Sequence, residues 1–242
     1  MIDHVLLRVS DLERATGALA PALAALEIEQ ATSSPSLSRW GGFILTQYEP
    51  EHPVTRGLHV AFVAPSPEHV DRFASVGLAA DLVDGGAPGP RPHYAADYYA
   101  AFLIDDAGNS FEAVHRASER PAGSIDHLGI RVADLDASRS FYSTMAPSAG
   151  LAQQRQLPDR TVFAVGTSGG SILIIADEPT ENAHIAFSGD DDDVHRFHAD
   201  LTEAGYRSNG EPGERPGYHE GYYAAFVLDP DGNNIEVVNH HR

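Results

Sequence analysis

RPHYAADYYAAFLIDDAGNSFEAVHR, residues 91–116, and RPGYHEGYYAAFVLDPDGNNIEVVNH, residues 215–240, are two versions of one stretch. From Tyr98 and Tyr222 onward they agree at 10 of 19 positions, at an offset of 124. Each contains two strand-like runs joined by a Gly-Asn turn. The second run of each carries one acidic residue, Glu112 or Glu236. A carboxylate inside a strand is costly unless it is solvated, paired or bound to a metal. A carboxylate written twice at the same place calls for one of these explanations.

Outward from this motif, the repeat extends over the whole chain. IDHVLLRVSDLERA (2–15) recurs as IDHLGIRVADLDAS (125–138). Alternation puts His4, Leu6 and Arg8 on one strand face, and His127, Gly129 and Arg131 on another. A helix is expected after each. In the first, Ser10 and Glu13 form a capping-box pattern, Leu12, Ala15, Leu19, Leu23 and Leu26 make the apolar stripe, and Pro21 is expected to kink or interrupt it. In the second, the stripe is Leu135, Ser138, Tyr142 and Met145.

Short strands are expected near 28–33, 37–42 and 43–48, and near 151–156, 161–166 and 171–176, with Gly41-Gly42 and Gly169-Gly170 as hairpin turns. A third matched strand, GLHVAFVAP (57–65) and NAHIAFSGD (182–190), centres on His59 and His184. Helical patterns follow at 67–79 and 191–205, the latter opened by Asp190 to Asp193, which suit a helix N-terminus. Gly/Pro-rich loops at 85–92 and 210–217 lead back into the opening motif. Each half thus reads strand–helix–three strands, twice over. This is a duplicated, mainly antiparallel α+β architecture, with domains at 1–116 and 124–242 and a polar linker at 117–123.

Bulk properties narrow the function. The net charge of −19 argues against nucleic acid or an anionic membrane as partner. There is no cysteine, which excludes disulfides, thiolate metal sites and cysteine nucleophiles. The N-terminal stretch does not read as a signal peptide, and no apolar run has membrane-spanning length, so the expected location is the cytoplasm. No phosphate-binding glycine loop or nucleophile-elbow serine is present.

Three ligand-type residues recur as a set in both halves: His4, His59 and Glu112, then His127, His184 and Glu236. Two histidines and one carboxylate with open positions form the facial-triad set of non-haem iron and related divalent ions. Iron, manganese, zinc, nickel and cobalt all suit these donors. His195 and His198 have helical metal-pair spacing but flank the apolar stripe of Val194, Phe197 and Leu201, so a solvated helix face is expected. No role is assigned to His240 or His241.

The IDHxxxRVxDL starts paired with YYAAFxxDxxGNxxE ends resemble the vicinal oxygen chelate superfamily, which includes glyoxalase I, bleomycin- and fosfomycin-resistance proteins and extradiol dioxygenases. The resemblance covers essentially the whole chain. It implies four βαβββ modules forming two cup-shaped antiparallel half-barrels, each around a divalent ion that binds two adjacent oxygens of a substrate. In glyoxalase I a further glutamate ligand lies on the fourth strand of the first module. The corresponding regions here, Gln47 to Glu49 and Ile175 to Asp177, hold no matched glutamate. Extradiol dioxygenases carry a tyrosine about ten residues before the glutamate, where this chain has Phe102 and Phe226, and their acid–base histidine has no counterpart.

Of the other cup residues, Arg8 and Arg131 are expected to hold an anionic group of the substrate, and Tyr98 and Tyr222 to orient the substrate or donate a proton. His219 and Glu220, where the first copy has Ala95 and Ala96, are the place to look for a difference between the sites. The resulting expectation is a metal-dependent enzyme with lyase- or isomerase-type chemistry on a small oxygenated organic substrate. An Fe(II) ring-cleaving dioxygenase and a drug-binding resistance protein are the alternatives. The chain is expected to act as a monomeric fused pseudo-dimer or as a homodimer. Each cup forms either within one half or by exchange, with exchange preferred because both ligand sets are intact.

Overall fold

The computed structural model describes residues 1–117, 123–165 and 170–241. Its elements run β1 (Ile2–Val9), α1 (Leu12–Ala24), β2 (Thr32–Ser33), β3 (Leu37–Trp40), β4 (Phe43–Gln47); β5 (His59–Val63), α2 (Pro67–Ala79), β6 (Val83–Pro90), β7 (Tyr99–Ile104), β8 (Ser110–His115). The second half repeats them as β9 (Ile125–Val132), α3 (Leu135–Met145), β10 (Ala152–Gln156), β11 (Arg160–Ala164), β12 (Ser171–Ala176); β13 (His184–Ser188), α4 (Asp191–Glu203), β14 (Ser208–Glu214), β15 (Tyr223–Leu228), β16 (Asn234–Asn239). These are four strand–helix–three-strand modules in succession.

The modules do not pair in sequence order. One sheet runs β14-β15-β16-β13-β1-β4-β3-β2 and the other β10-β11-β12-β9-β5-β8-β7-β6. The first module therefore joins the fourth through antiparallel β1 and β13, and the second joins the third through β5 and β9. Within each module the first and last strands are parallel, as β1–β4 and β13–β16 are, because a helix carries the chain back across the sheet. Strand parity separates two environments. Val5, Leu7 and Val9 enter the main core, while His4, Leu6 and Arg8 take the opposite face. The helices lie on the core side, α1 against α2 and α3 against α4, so the two sheets share one core. Among the described residues no helix is long and apolar enough to cross a membrane.

Several expectations need correction. The cap of α1 is Asp11, which accepts from Arg14 N, and not Ser10. Pro21 lies inside α1 without interrupting it. The Gly/Pro-rich segments at 85–92 and 210–217 fall largely within edge strands β6 and β14. Their register slips twice against β7 and β15, and an edge position tolerates residues that cannot sustain a regular ladder. Gly86 and Gly210 sit under aromatic rings: a Cβ there would meet Cδ2 of Phe102 at 2.9 Å or of Phe226 at 2.8 Å. Linker residues 118–122, and Gly169 of the expected Gly169-Gly170 turn, lie outside the described residues.

Candidate metal centres

The exchange of modules decides which ligands meet. His4 joins His184 and Glu236 in one cup, and His127 joins His59 and Glu112 in the other. Each triangle comes from three adjacent strands. In the first cup His4 is across from Ala186, which is in turn beside Glu236, and in the second His127 is across from Ala61, beside Glu112. The remaining histidine, His184 or His59, lies two residues along the alanine's own strand and faces Leu6 or Gly129. A buried alanine thus stands at the centre of each ligand set, small enough to leave the space among the three side chains open.

In the second cup His59 Nε2 is 3.0 Å from Glu112 Oε2 and 3.3 Å from His127 Nε2, and His127 Nε2 is 3.3 Å from Glu112 Oε2. Donors around 2.0–2.1 Å from a common ion sit roughly 3.0–3.4 Å from one another, so this triangle fits a divalent cation. The first cup is less regular, with His184 Nε2 at 2.7 Å and His4 Nε2 at 3.7 Å from Glu236 Oε2. Both glutamates are fully buried and can bear charge only through these partners. Burial opposes ionisation of Glu112, yet His127 and His59 hold its carboxyl down at about 2. Burial likewise opposes charge on His127, yet Asp126 and Glu112 hold it up at about 9. For His184 burial wins over Glu236, and its proton affinity falls.

A second layer orients the candidate ligands. His4 Nδ1 is 2.8 Å from Asp3, and His127 Nδ1 is 2.7 Å from Asp126, which leaves each Nε2 directed at the site. Tyr98 Oη donates to Glu112 Oε1 at 2.7 Å, and Tyr222 Oη to Glu236 Oε1 at 2.6 Å, leaving Oε2 to the histidines. Burial, with the neighbouring carboxylate, raises both phenols far above the usual range. The two arginines differ. Arg131 donates from Nε to Gly57 O at 2.9 Å and from Nη2 to Gly108 O at 3.1 Å, bracing the entry to β5. Among the described residues the half-buried Arg8 makes no side-chain hydrogen bond, and it lines the first cup beside His184.

Sequence reasoning did not anticipate the role of the motif's asparagine. Asn109 accepts from Leu58 N and donates to Thr55 O, and Asn233 accepts from Ala183 N and donates to Thr180 O. Each fully buried asparagine therefore pins the residues just ahead of a ligand histidine. The signal for it was present, since Gly-Asn is written twice. Gly108 (φ +78°) and Gly232 (φ +89°) supply the left-handed turn that aims it. His195 is exposed on α4, as expected, and bonds Tyr223 Oη. His240, given no role, reaches Asp3.

The cups open into cavities of different character. The second, about 540 Å³, is walled by Phe102, Val162, Leu173 and Ile175 together with Arg160 and Asp177, and the first, about 420 Å³, by Asn182, Asn209, Asn234 and Arg8 together with Phe226 and Leu228. Gly129, in the place Leu6 holds in the first copy, lines the second. Facing the ligands from β12 are Ser171, Leu173 and Ile175, in register with His127, Gly129 and Arg131, so no carboxylate comes from that strand.

A βαβββ-repeat fold with a His/His/Glu set in each cup defines the class. Residues 124–237 match the family model of the glyoxalase/bleomycin resistance protein/dioxygenase superfamily. The first half repeats the same modules and motifs, and the chain belongs to that superfamily as a tandem member. It is similar in fold to glyoxalase I from Zea mays (TM-score 0.69, 18% identity, 99% of this chain and 92% of that one). A Bacillus subtilis protein proposed to be a dioxygenase also shares the fold (TM-score 0.65, 14% identity, 98% and 84%). A glyoxalase/bleomycin resistance protein from Albidiferax ferrireducens is 31% identical over 48% of this chain and 99% of its own, with a TM-score of 0.43. No curated protein matches the sequence.

Proposed function

We propose that this chain is a metal-dependent enzyme of the glyoxalase family, with lyase- or isomerase-type chemistry on a small substrate that chelates through neighbouring oxygens. The observation that carries the reading is the pair of His/His/Glu sets, one lining a cavity with all three residues and the other reaching its cavity through His184, each braced by a second layer. A divalent ion bound there supplies Lewis acidity to the substrate oxygens. The chain's own groups do the rest. His4, His184 and Glu236, or His59, His127 and Glu112, hold three positions and leave the cavity side to substrate. Tyr98 and Tyr222 keep each glutamate in place and retain their own protons. Arg8, with its guanidinium uncommitted, suits a carboxylate or other anionic group of the substrate, while Arg131 acts as a brace.

Two features favour this over ring cleavage or the glyoxalase I reaction. Phe102 and Phe226 are the cross-strand neighbours of Glu112 and Glu236, where a tyrosine is expected in a ring-cleaving enzyme. No glutamate faces the site from β12, where glyoxalase I is expected to place one. Metal analysis of anaerobically purified protein tests the reading. Close to two equivalents of divalent metal per chain are expected. No binding after reconstitution overturns it in favour of a binding protein, and oxygen uptake with catechols overturns it in favour of a dioxygenase.

A further inference from the structure

The turn into β5 reads TRGLHVAF (55–62) and the turn into β13 reads TENAHIAF (180–187), so Gly57 (φ +69°) and Asn182 (φ +57°) are counterparts. Asparagine is one of the few residues with a Cβ that adopts this left-handed conformation readily. The frame around the two residues matches bond for bond. Arg131 N donates to Thr180 Oγ1 and Thr180 Oγ1 to Gly57 O, each at 3.0 Å. Arg8 N donates to Thr55 Oγ1 at 3.0 Å and Thr55 Oγ1 to Asn182 O at 2.9 Å. Within this frame the two arginines part. Arg131 spends Nε on Gly57 O and Nη2 on Gly108 O, the two donors of the edge with which a guanidinium grips a carboxylate side-on. It can lie there because residue 57 is bare: a Cβ on Gly57 would stand 3.2 Å from Nη2, closer than such contacts normally come. Asn182 carries that Cβ, and its side chain is fixed by Nδ2 donating to Val54 O at 3.1 Å. Asn182 O and Gly232 O are the counterparts of the two carbonyls, and among the described residues neither receives a bond from Arg8.

We propose that the residue at this turn is a positioning residue that sets the charge of the substrate each cup prefers. Asn182 leaves the fork of Arg8 open to a carboxylate at the far end of the substrate, and Gly57 closes the fork of Arg131. This rests on reading both cups as metal-centred substrate sites. Arg8 and Asn182 line the same cavity, beside the amides of Asn209 and Asn234, so an anion held by Arg8 sits in polar surroundings. Glu49, within electrostatic reach of Arg8, and Glu51 at the cavity wall are both exposed, so water and salt screen them, and neither bonds the guanidinium. In the second cavity two further arginines already have carboxylate partners, Arg116 in Asp126 and Arg160 in Asp159. The wall left to a substrate tail there includes Phe102, Val162, Leu173 and Ile175. The ligand sets are the same in both cups, so the chelating head of the substrate is common to them. The tail is what differs, anionic in the first cup and apolar in the second.

A reciprocal exchange at the turn tests this. In metal-free protein, NMR reads solvent exchange of the arginine Hε protons. That of Arg131 is expected to be protected and that of Arg8 to exchange fast. Gly57→Asn is expected to speed the first, and Asn182→Gly to slow the second. For substrate preference, Glu112→Gln confines Zn(II) to the first cup and Glu236→Gln to the second. Calorimetry of the Zn(II)-loaded protein then compares 2-hydroxysuccinate, 2-hydroxyglutarate and 2-hydroxyadipate, each with the monoacid that has a methyl group in place of the far carboxylate. The first cup is expected to favour at least one diacid by about tenfold, the scale of a charge-assisted hydrogen bond, and to lose that preference in Asn182→Gly. The second cup is expected to favour the monoacids, and to gain a diacid preference in Gly57→Asn. Hε exchange that neither variant alters, or diacid preferences that the exchange does not move, overturn the proposal. Failure of every variant to bind Zn(II) overturns the metal reading instead, and Hε exchange in the metal-free protein still decides this one.

Discussion

Asn233 and the candidate ligand pair Glu112–His127 are where single residues set behaviour. Asn233→Ala strands Ala183 N and Thr180 O in the core. An unsatisfied buried backbone group costs about 1–3 kcal/mol, so a loss of about 3 kcal/mol is expected in denaturant unfolding, together with weaker metal binding at His184. The Glu112–His127 pair gives the metal-free chain its pH dependence. Glu112, held at about 2, adds stability in full above the ordinary carboxylate range and loses it as pH falls toward 2. His127, held at about 9, adds stability in full below roughly 6.5, the free imidazole value, and loses it as pH rises through 9. Melting temperatures in chelator are therefore expected to fall on both sides of a mildly acidic maximum, and Glu112→Gln is expected to flatten the alkaline limb. At this scale much was legible. The six ligand-type residues stand out because they recur, whereas the committed Arg131 and the uncommitted Arg8 look identical in sequence and differ only in which carbonyls lie within reach.

At the level of elements, each ligand set belongs to three neighbouring strands and not to any one of them. Ala61 lies between His127 and Glu112 across the sheet, so a larger side chain at that position fills the space the ligands surround. Ala61→Leu is expected to abolish metal binding in that cup and to leave one equivalent per chain, in the cup around Ala186, by elemental analysis. A variant that keeps two equivalents would show that the strands do not meet in this register. Helices and central strands could be read from period alone, as with α2 at 67–79 and β12 at 171–176. Edge strands β6 and β14 could not, because a sequence such as VDGGAPGP carries turn residues throughout. It is held as a strand by its neighbour and by Arg91 reaching Ala87 O.

For the whole molecule, the deciding fact is that each sheet draws on both halves of the chain. Residues 124–242 expressed alone would leave β9 and β13 with unpaired edges, since their partners β5 and β1 belong to the first half. Such edges recruit another strand, and two copies can satisfy each other by pairing β9 of one with β13 of the next. The isolated half is therefore expected to be a dimer with one His127–His184–Glu236 site per chain. Light scattering with metal analysis checks this, and a metal-loaded monomer would contradict it.

The repeat, its modules and its ligand-type residues were determined by the sequence alone, because strand and helix periodicities are local and duplication doubles every signal. The different lining of the two cups, the brace formed by Asn109 and Asn233, and the link from His240 to Asp3 were decided only in three dimensions. So was the partnership of His4 with Glu236 over Glu112, toward which the intact ligand sets had only inclined the reading. Local pattern does not say which modules will share a sheet edge. That choice rests on which apolar faces close over one core, and it brings together residues more than 200 positions apart, such as His4 and Glu236.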